Sequence, residues 1–173
     1  MIIRFLSCVS ALFLATLPAS ADVVRAADDG FQIHLERTSE LPSNLQYARM
    51  ATLSDWWSPA HTYSGDAENL SLTEVAPGGM WVETWNGGSV LHGEVIAAMH
   101  RDGNHMVRFD ASLGPLQSIG VEAVLTISIN QDGEGSKVVM DYFVTGASFQ
   151  ALSDIAPVVD AVLTEQINRL VDP

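Results

Sequence analysis

Glu83 and His92 flank an Asn86-Gly87-Gly88 turn, and their spacing suits acid–base chemistry. A two-residue loop at Gly87-Gly88 sets Glu83 opposite His92, and one at Asn86-Gly87 sets Trp81 opposite His92. Both registers place Trp81, Glu83, Trp85, Val90 and His92 on one face of the hairpin, whereas a three-residue loop flips one strand and separates them. A carboxylate beside an imidazole among aromatic rings can orient a ligand or shuttle a proton, because burial and pairing bring such groups' pKa values toward neutrality. The same spacing also suits a purely structural cross-strand pair.

His61 lies in a loop dense in aromatic and turn-forming residues, between Trp57 and Tyr63 and close to Asp66. Three readings apply to it: a cap on a cavity mouth, the third member of a two-His-one-carboxylate set with Glu83 and His92, or a staple bonded to backbone. No close spacing such as H-x-H or H-E-x-x-H favours a metal, and no metal or cofactor is expected. His34, His100 and His105 neighbour charges or turns and are expected at the surface. Trp56, Trp57, Trp81 and Trp85 either line a pocket for a ring-shaped apolar ligand or fill the core, with loop placement favouring Trp56 and Trp57 for the pocket. Arg108, between Val107 and Phe109, either meets a carboxylate such as Glu83 or a ligand acid, or is an exposed strand arginine. A nucleophile constellation, a G-x-S-x-G elbow, a phosphate loop and a dinucleotide fingerprint are all missing from the sequence.

The elements that must position these groups follow from length and periodicity. A chain of 173 residues is one domain's worth, and 47% apolar residues suffice for one core. With 8 Lys+Arg against 21 Asp+Glu, the net charge of −13 argues against nucleic acid, whose phosphates are met by Lys and Arg. Residues 1–21 read as a secretory signal peptide: Arg4 supplies the positive start, Phe5 to Leu17 an apolar run too short to span a membrane, and Ala19-Ser20-Ala21 the cleavage pattern. Cleavage after Ala21 gives an exported, periplasmic or secreted chain that loses Cys8, its one cysteine, and retains no membrane span.

Residues 22–30 read as a flexible lead-in. Phe31 to Arg37 alternates as a half-buried strand, and Pro42 to Met50 reads as a short helix. Six further strands are expected at Leu70–Val75, Met80–Trp85, Val90–Met99, His105–Ala111, Val121–Asn130 and Val138–Thr145, joined by Gly-rich hairpin turns. From about 151 to 171 the period changes to that of an amphipathic helix, with Ile155, Val158, Val159, Val162, Leu163, Ile167 and Leu170 on its apolar face. Pro157 implies a start near Ser153, or a kink if the helix begins earlier.

Several stretches resemble the SRPBCC superfamily of START, Bet v 1 and polyketide cyclase-like helix-grip proteins. They run from Trp56-Trp57-Ser-Pro-Ala-His61 through Asn69-Leu70-Ser-Leu72, then Gly78-Gly79-Met-Trp-Val-Glu83 and Gly88-Ser-Val90-Leu-His92. Val107-Arg108-Phe109, Leu113-Gly114-Pro115-Leu116-Gln117 and Val159-Asp160-Ala-Val162-Leu163 through Leu170 complete the pattern. It departs at Ala111, where a glycine is expected, and at Pro157. The resemblance implies one α+β domain over 31–173, a curved antiparallel sheet of about seven strands wrapped around the C-terminal helix, with short helices after the first strand. It also implies a cavity between sheet and helix for a small hydrophobic molecule such as a lipid or polyketide. Trp56, Trp57, His61, Tyr63, Trp85, Arg108 and Gln117 are then the candidate ligand contacts. In the alternative, a cyclase- or hydrolase-like enzyme, His92 or His61 acts with Glu83. Some relatives are activators of the Hsp90 ATPase, a role that fits poorly with an exported chain.

Overall fold

A computed structural model describes residues 23–172, so the expected signal peptide lies outside the described residues. Strands β1 (Val23–Ala27) and β2 (Gly30–Ser39) precede helix α1 (Ser43–Ala51). Three 3-10 turns then lead to β3 (Leu70–Leu72), β4 (Met80–Trp85), β5 (Gly88–Arg101) and β6 (Asn104–Asp110). After a 3-10 turn at Gly114–Ile119 come β7 (Glu122–Asp132), β8 (Gly135–Thr145) and the long helix α2 (Leu152–Val171). The strands form one antiparallel sheet in the order β1-β2-β8-β7-β6-β5-β4-β3.

Alternation decides which sheet face is buried. Leu125, Ile127 and Ile129 of β7 point inward beside Val138, Met140 and Tyr142 of β8. Helix α2 presents Leu152, Ala156, Leu163, Ile167 and Leu170 to the core. Arg49 donates to the Leu170 and Arg169 carbonyls, so a cationic side chain satisfies free carbonyls at the end of α2, and Arg169 in turn ties that end to the Trp56 carbonyl.

One expectation needs correction. Residues 23–27 are not a loose lead-in but an edge strand paired with β2, with Val23 opposite Ile33. They raise the sheet from about seven strands to eight. That edge is tied to α2 as well, because the Leu152 amide donates to the Asp28 carbonyl and Ser153 Oγ to Asp28 Oδ1. The expected departures from the family pattern also resolve. Ala111 packs against Gly93, where an added Cβ would stand 2.6 Å from the Ala111 Cβ; the small residue required at this crossing is supplied by β5. Pro157 sits inside α2, which begins at Leu152, so the helix forgoes one backbone hydrogen bond there.

Candidate functional site

A cavity of about 600 Å³ opens between the 57–63 segment, the turn after β6 and the N-terminal half of α2. Ile155, Val158, Val159, Val162 and Leu163 form its helical wall. Leu113, Pro115, Leu116 and Ile119 face them, and Trp57 and Tyr63 close a third side. No strand residue lines it. The expected space between sheet and helix is instead occupied, because Trp81, Phe109 and Tyr142 point inward and are fully buried. Trp56, Trp57, Trp81 and Phe109 continue this filling as a chain of edge-to-face rings. Trp81 Nε1 is buried without a hydrogen-bond partner, so that indole contributes packing alone.

Both loops at the cavity are held by directional bonds. Buried Gln166 of α2 accepts from the Ser58 amide at 2.7 Å, and His61 Nε2 meets Glu165 Oε2 of the same helix at 3.0 Å. Trp57 Nε1 donates to the His61 carbonyl. Tyr63 donates its hydroxyl proton to the Gly114 carbonyl at 3.1 Å, which bridges the two loops across the mouth.

The second loop is anchored from the core. Tyr142 of β8 donates to the Ala111 carbonyl at 2.9 Å and accepts from the Leu113 amide at 3.2 Å. Burial pushes its hydroxyl pKa well above the usual tyrosine value, so it stays protonated and can serve both bonds. Tyr142→Phe strands a buried carbonyl and an amide, and is expected to cost about 2 kcal/mol of unfolding free energy in urea titration. A cost below about 0.5 kcal/mol would show that this anchor is dispensable.

Glu83 and His92 come together as the hairpin geometry allowed. The turn closes at Asn86-Gly87, with Glu83 opposite Val90, and a bulge leaves His92 as the extra residue between Leu91 and Gly93. Glu83 is 0% and His92 6% exposed, and Glu83 Oε2 lies 2.9 Å from His92 Nε2. Glu83 also holds the loop backbone: its carboxylate accepts the Tyr63 amide at 3.1 Å and the Ser64 amide at 2.5 Å. The pair therefore holds the start of the Tyr63 loop from behind, and neither residue lines the cavity.

Burial pushes the Glu83 carboxyl up, but bonds from Ser64, the Tyr63 amide and His92 outweigh it and hold the carboxyl below its ordinary 4.5. A depressed carboxylate stabilises the fold fully above its unfolded value, and that contribution is lost as pH falls through the folded one. Acidification below 4.5 is therefore expected to lower wild-type stability more steeply than that of Glu83→Gln, narrowing the gap between them in acid melts. A gap constant through that range would contradict the assignment.

Of the nine candidates, Trp57, His61 and Tyr63 line the cavity. Trp56 does not: it is fully buried, with its indole donating to the Met50 carbonyl. Trp85 covers its own turn, where a Cβ on Gly88 would stand 2.7 Å from its ring. Arg108 is exposed and donates to Thr126 Oγ1 rather than to Glu83 or into the cavity. Gln117 donates to the Leu91 carbonyl and is likewise outside. His61 pairs with Glu165, not with Glu83 and His92, and among the described residues no three ligating side chains gather as a metal site. The α2 wall was missed as a site, although the sequence carries its signal: an apolar stripe wide enough to leave Val158 65% exposed.

No protein-family model matches the sequence, and no curated protein matches it either. Solved structures do. A Staphylococcus aureus protein of unknown function superposes with a TM-score of 0.56 at 13% identity, covering 82% of this chain and 91% of its own. A hypothetical protein from Helicobacter pylori gives 0.54 at 12%, covering 96% and 98%. Major latex-like protein 151 from Panax ginseng gives 0.50 at 14%, covering 83% and 99%. At these identities the likeness establishes the fold. That shared fold is α+β, an open antiparallel sheet of eight strands with a long C-terminal helix gripped against it.

Proposed function

We propose that this helix-grip domain binds one small hydrophobic molecule in the cavity between α2, the Tyr63 loop and the 113–119 turn. The observation that carries the reading is the wall itself: about 600 Å³ lined mainly by Val, Ile, Leu, Pro and aromatic side chains. Apolar surface held open to solvent in this way is costly, and burying a ligand against it is favourable by roughly 25 cal/mol per Å². Among the described residues no helix is long and apolar enough to cross a membrane. In this reading residues 1–21 direct export, and the domain works as an acidic carrier outside the cytoplasm. The carrier reading is preferred to an acid–base enzyme built on Glu83 and His92 because that pair stands behind the loop rather than in the cavity wall.

Native mass spectrometry of protein purified from its own cell envelope tests this, together with titration by the neutral fluorophore N-phenyl-1-naphthylamine. A released small molecule and saturable fluorophore binding are expected. Protein that is consistently empty and does not bind the fluorophore would overturn the proposal.

A further inference from the structure

The polar groups in the cavity wall share one property: their side-chain donors are already used. Thr62 Oγ1 donates to the Pro59 carbonyl at 2.8 Å, Ser118 Oγ to the Pro115 carbonyl at 2.8 Å, and Tyr63 Oη to the Gly114 carbonyl. Trp57 Nε1 is committed to the His61 carbonyl. His61 Nε2 faces the Glu165 carboxylate, which can only accept, so Nε2 carries the proton. In the neutral imidazole that leaves Nδ1 as a bare lone pair, the tautomer being set by the bond at the other nitrogen. No lysine or arginine is among the residues that line the cavity, and the Glu165 carboxylate, held by His61 and within electrostatic reach of Arg169, stands just outside it. What these side chains still offer, with the ring neutral, are lone pairs: three hydroxyl oxygens and His61 Nδ1.

From this pattern we infer that the cavity selects uncharged apolar molecules that end in a hydrogen-bond donor, an alcohol or a phenol, and rejects carboxylates and phosphates. The inference rests on the apolar-ligand reading above and adds the ligand's polar chemistry to it. A ligand hydroxyl finds an acceptor in His61 Nδ1, and its own oxygen requires no donor from the wall. An anionic head finds neither a cation nor a free side-chain donor, and stands near the Glu165 carboxylate. Desolvating a charge without such partners is strongly unfavourable, and a site that matches a donor discriminates against analogues lacking it.

The test uses displacement of N-phenyl-1-naphthylamine by three molecules of one shape: 2-naphthol, 2-methoxynaphthalene and 2-naphthoate. The naphthol is expected to compete about tenfold more strongly than the methoxy compound, the size of one well-made hydrogen bond, and the naphthoate more weakly than both. In His61→Leu fluorophore affinity is expected to fall somewhat, because the Glu165 tether goes with the ring, and the naphthol advantage, read against that variant's own fluorophore affinity, should collapse to about twofold or less. Naphthoate competing as well as naphthol would overturn the inference, as would a naphthol advantage that survives His61→Leu. If the fluorophore itself fails to bind wild-type protein, the underlying carrier reading falls first. Fluorophore binding with no ranking among the three competitors refutes the donor selectivity alone.

Discussion

Glu83→Ala is expected to lower the unfolding free energy by about 3–5 kcal/mol, a large share of what a domain of this size possesses. The size follows from what the carboxylate leaves behind. The Tyr63 and Ser64 amides and the His92 ring lose their acceptor together. Each unsatisfied buried group costs about 1–3 kcal/mol. Glu83→Gln should cost less, about 2 kcal/mol, because one carboxamide oxygen still accepts an amide while the new NH2 group faces another donor. Urea titrations of the two variants and of His92→Ala, combined in a double-mutant cycle, separate the imidazole bond from the two backbone bonds. A solvent-facing cross-strand pair would give under 1 kcal/mol for any of these changes, and that result would overturn the buried-anchor account. Since Glu83 acts on the cavity only by positioning Tyr63, fluorophore affinity in the folded Gln variant should fall a few-fold, not vanish.

Val162→Trp is expected to cut fluorophore affinity at least tenfold while leaving the unfolding free energy from urea titration within about 1 kcal/mol of wild type. Val162 stands in the middle of the α2 wall and is only half-buried, so an indole there projects into open cavity rather than into packed core. Losing about 60 Å² of apolar contact at 25 cal/mol per Å² already corresponds to about tenfold in affinity. A control at Val124, on the outer face of β7, should leave binding unchanged. Undiminished affinity in Val162→Trp would place the fluorophore elsewhere on the surface, for instance in the groove lined by β1, β2 and β8, and would remove the cavity from the functional account.

The elements most legible in the sequence were those whose pattern repeats over many residues. The β7 alternation from Val121 to Asn130 and the apolar stripe of α2 place their elements within a residue or two of where they stand. The Gly-rich turns located the hairpins, and parity alone grouped Trp81, Glu83 and His92 on one face whichever two-residue loop formed. β1 was illegible because Val23 to Ala27 is short and unpatterned; its strand conformation comes from pairing with β2, not from local preference.

The site divides along the same line. Trp57, His61 and Tyr63 line the cavity as their loop placement suggested, whereas Trp56 of the same loop is core, and no local pattern separates the two cases. Arg108 and Gln117 misled because one residue of rotation along a strand or turn decides whether a side chain meets solvent or ligand, and only pairing partners such as Thr126 and Leu91 settle that rotation.

By itself, then, the sequence determined the acidic charge, the order of the elements from β2 to α2 and the shared face of Glu83 and His92 in either two-residue hairpin, which rest on composition and short-range period, while the fold was implied by family resemblance. Tertiary structure alone decided the rest. Large inward rings filled the space under the sheet and moved the cavity toward the loops at the N-terminal half of α2. Partners far apart in the chain turned Glu83 into a loop anchor and gave His61 to Glu165. Volume and long-range pairing are properties of the packed molecule, and no local pattern encodes them.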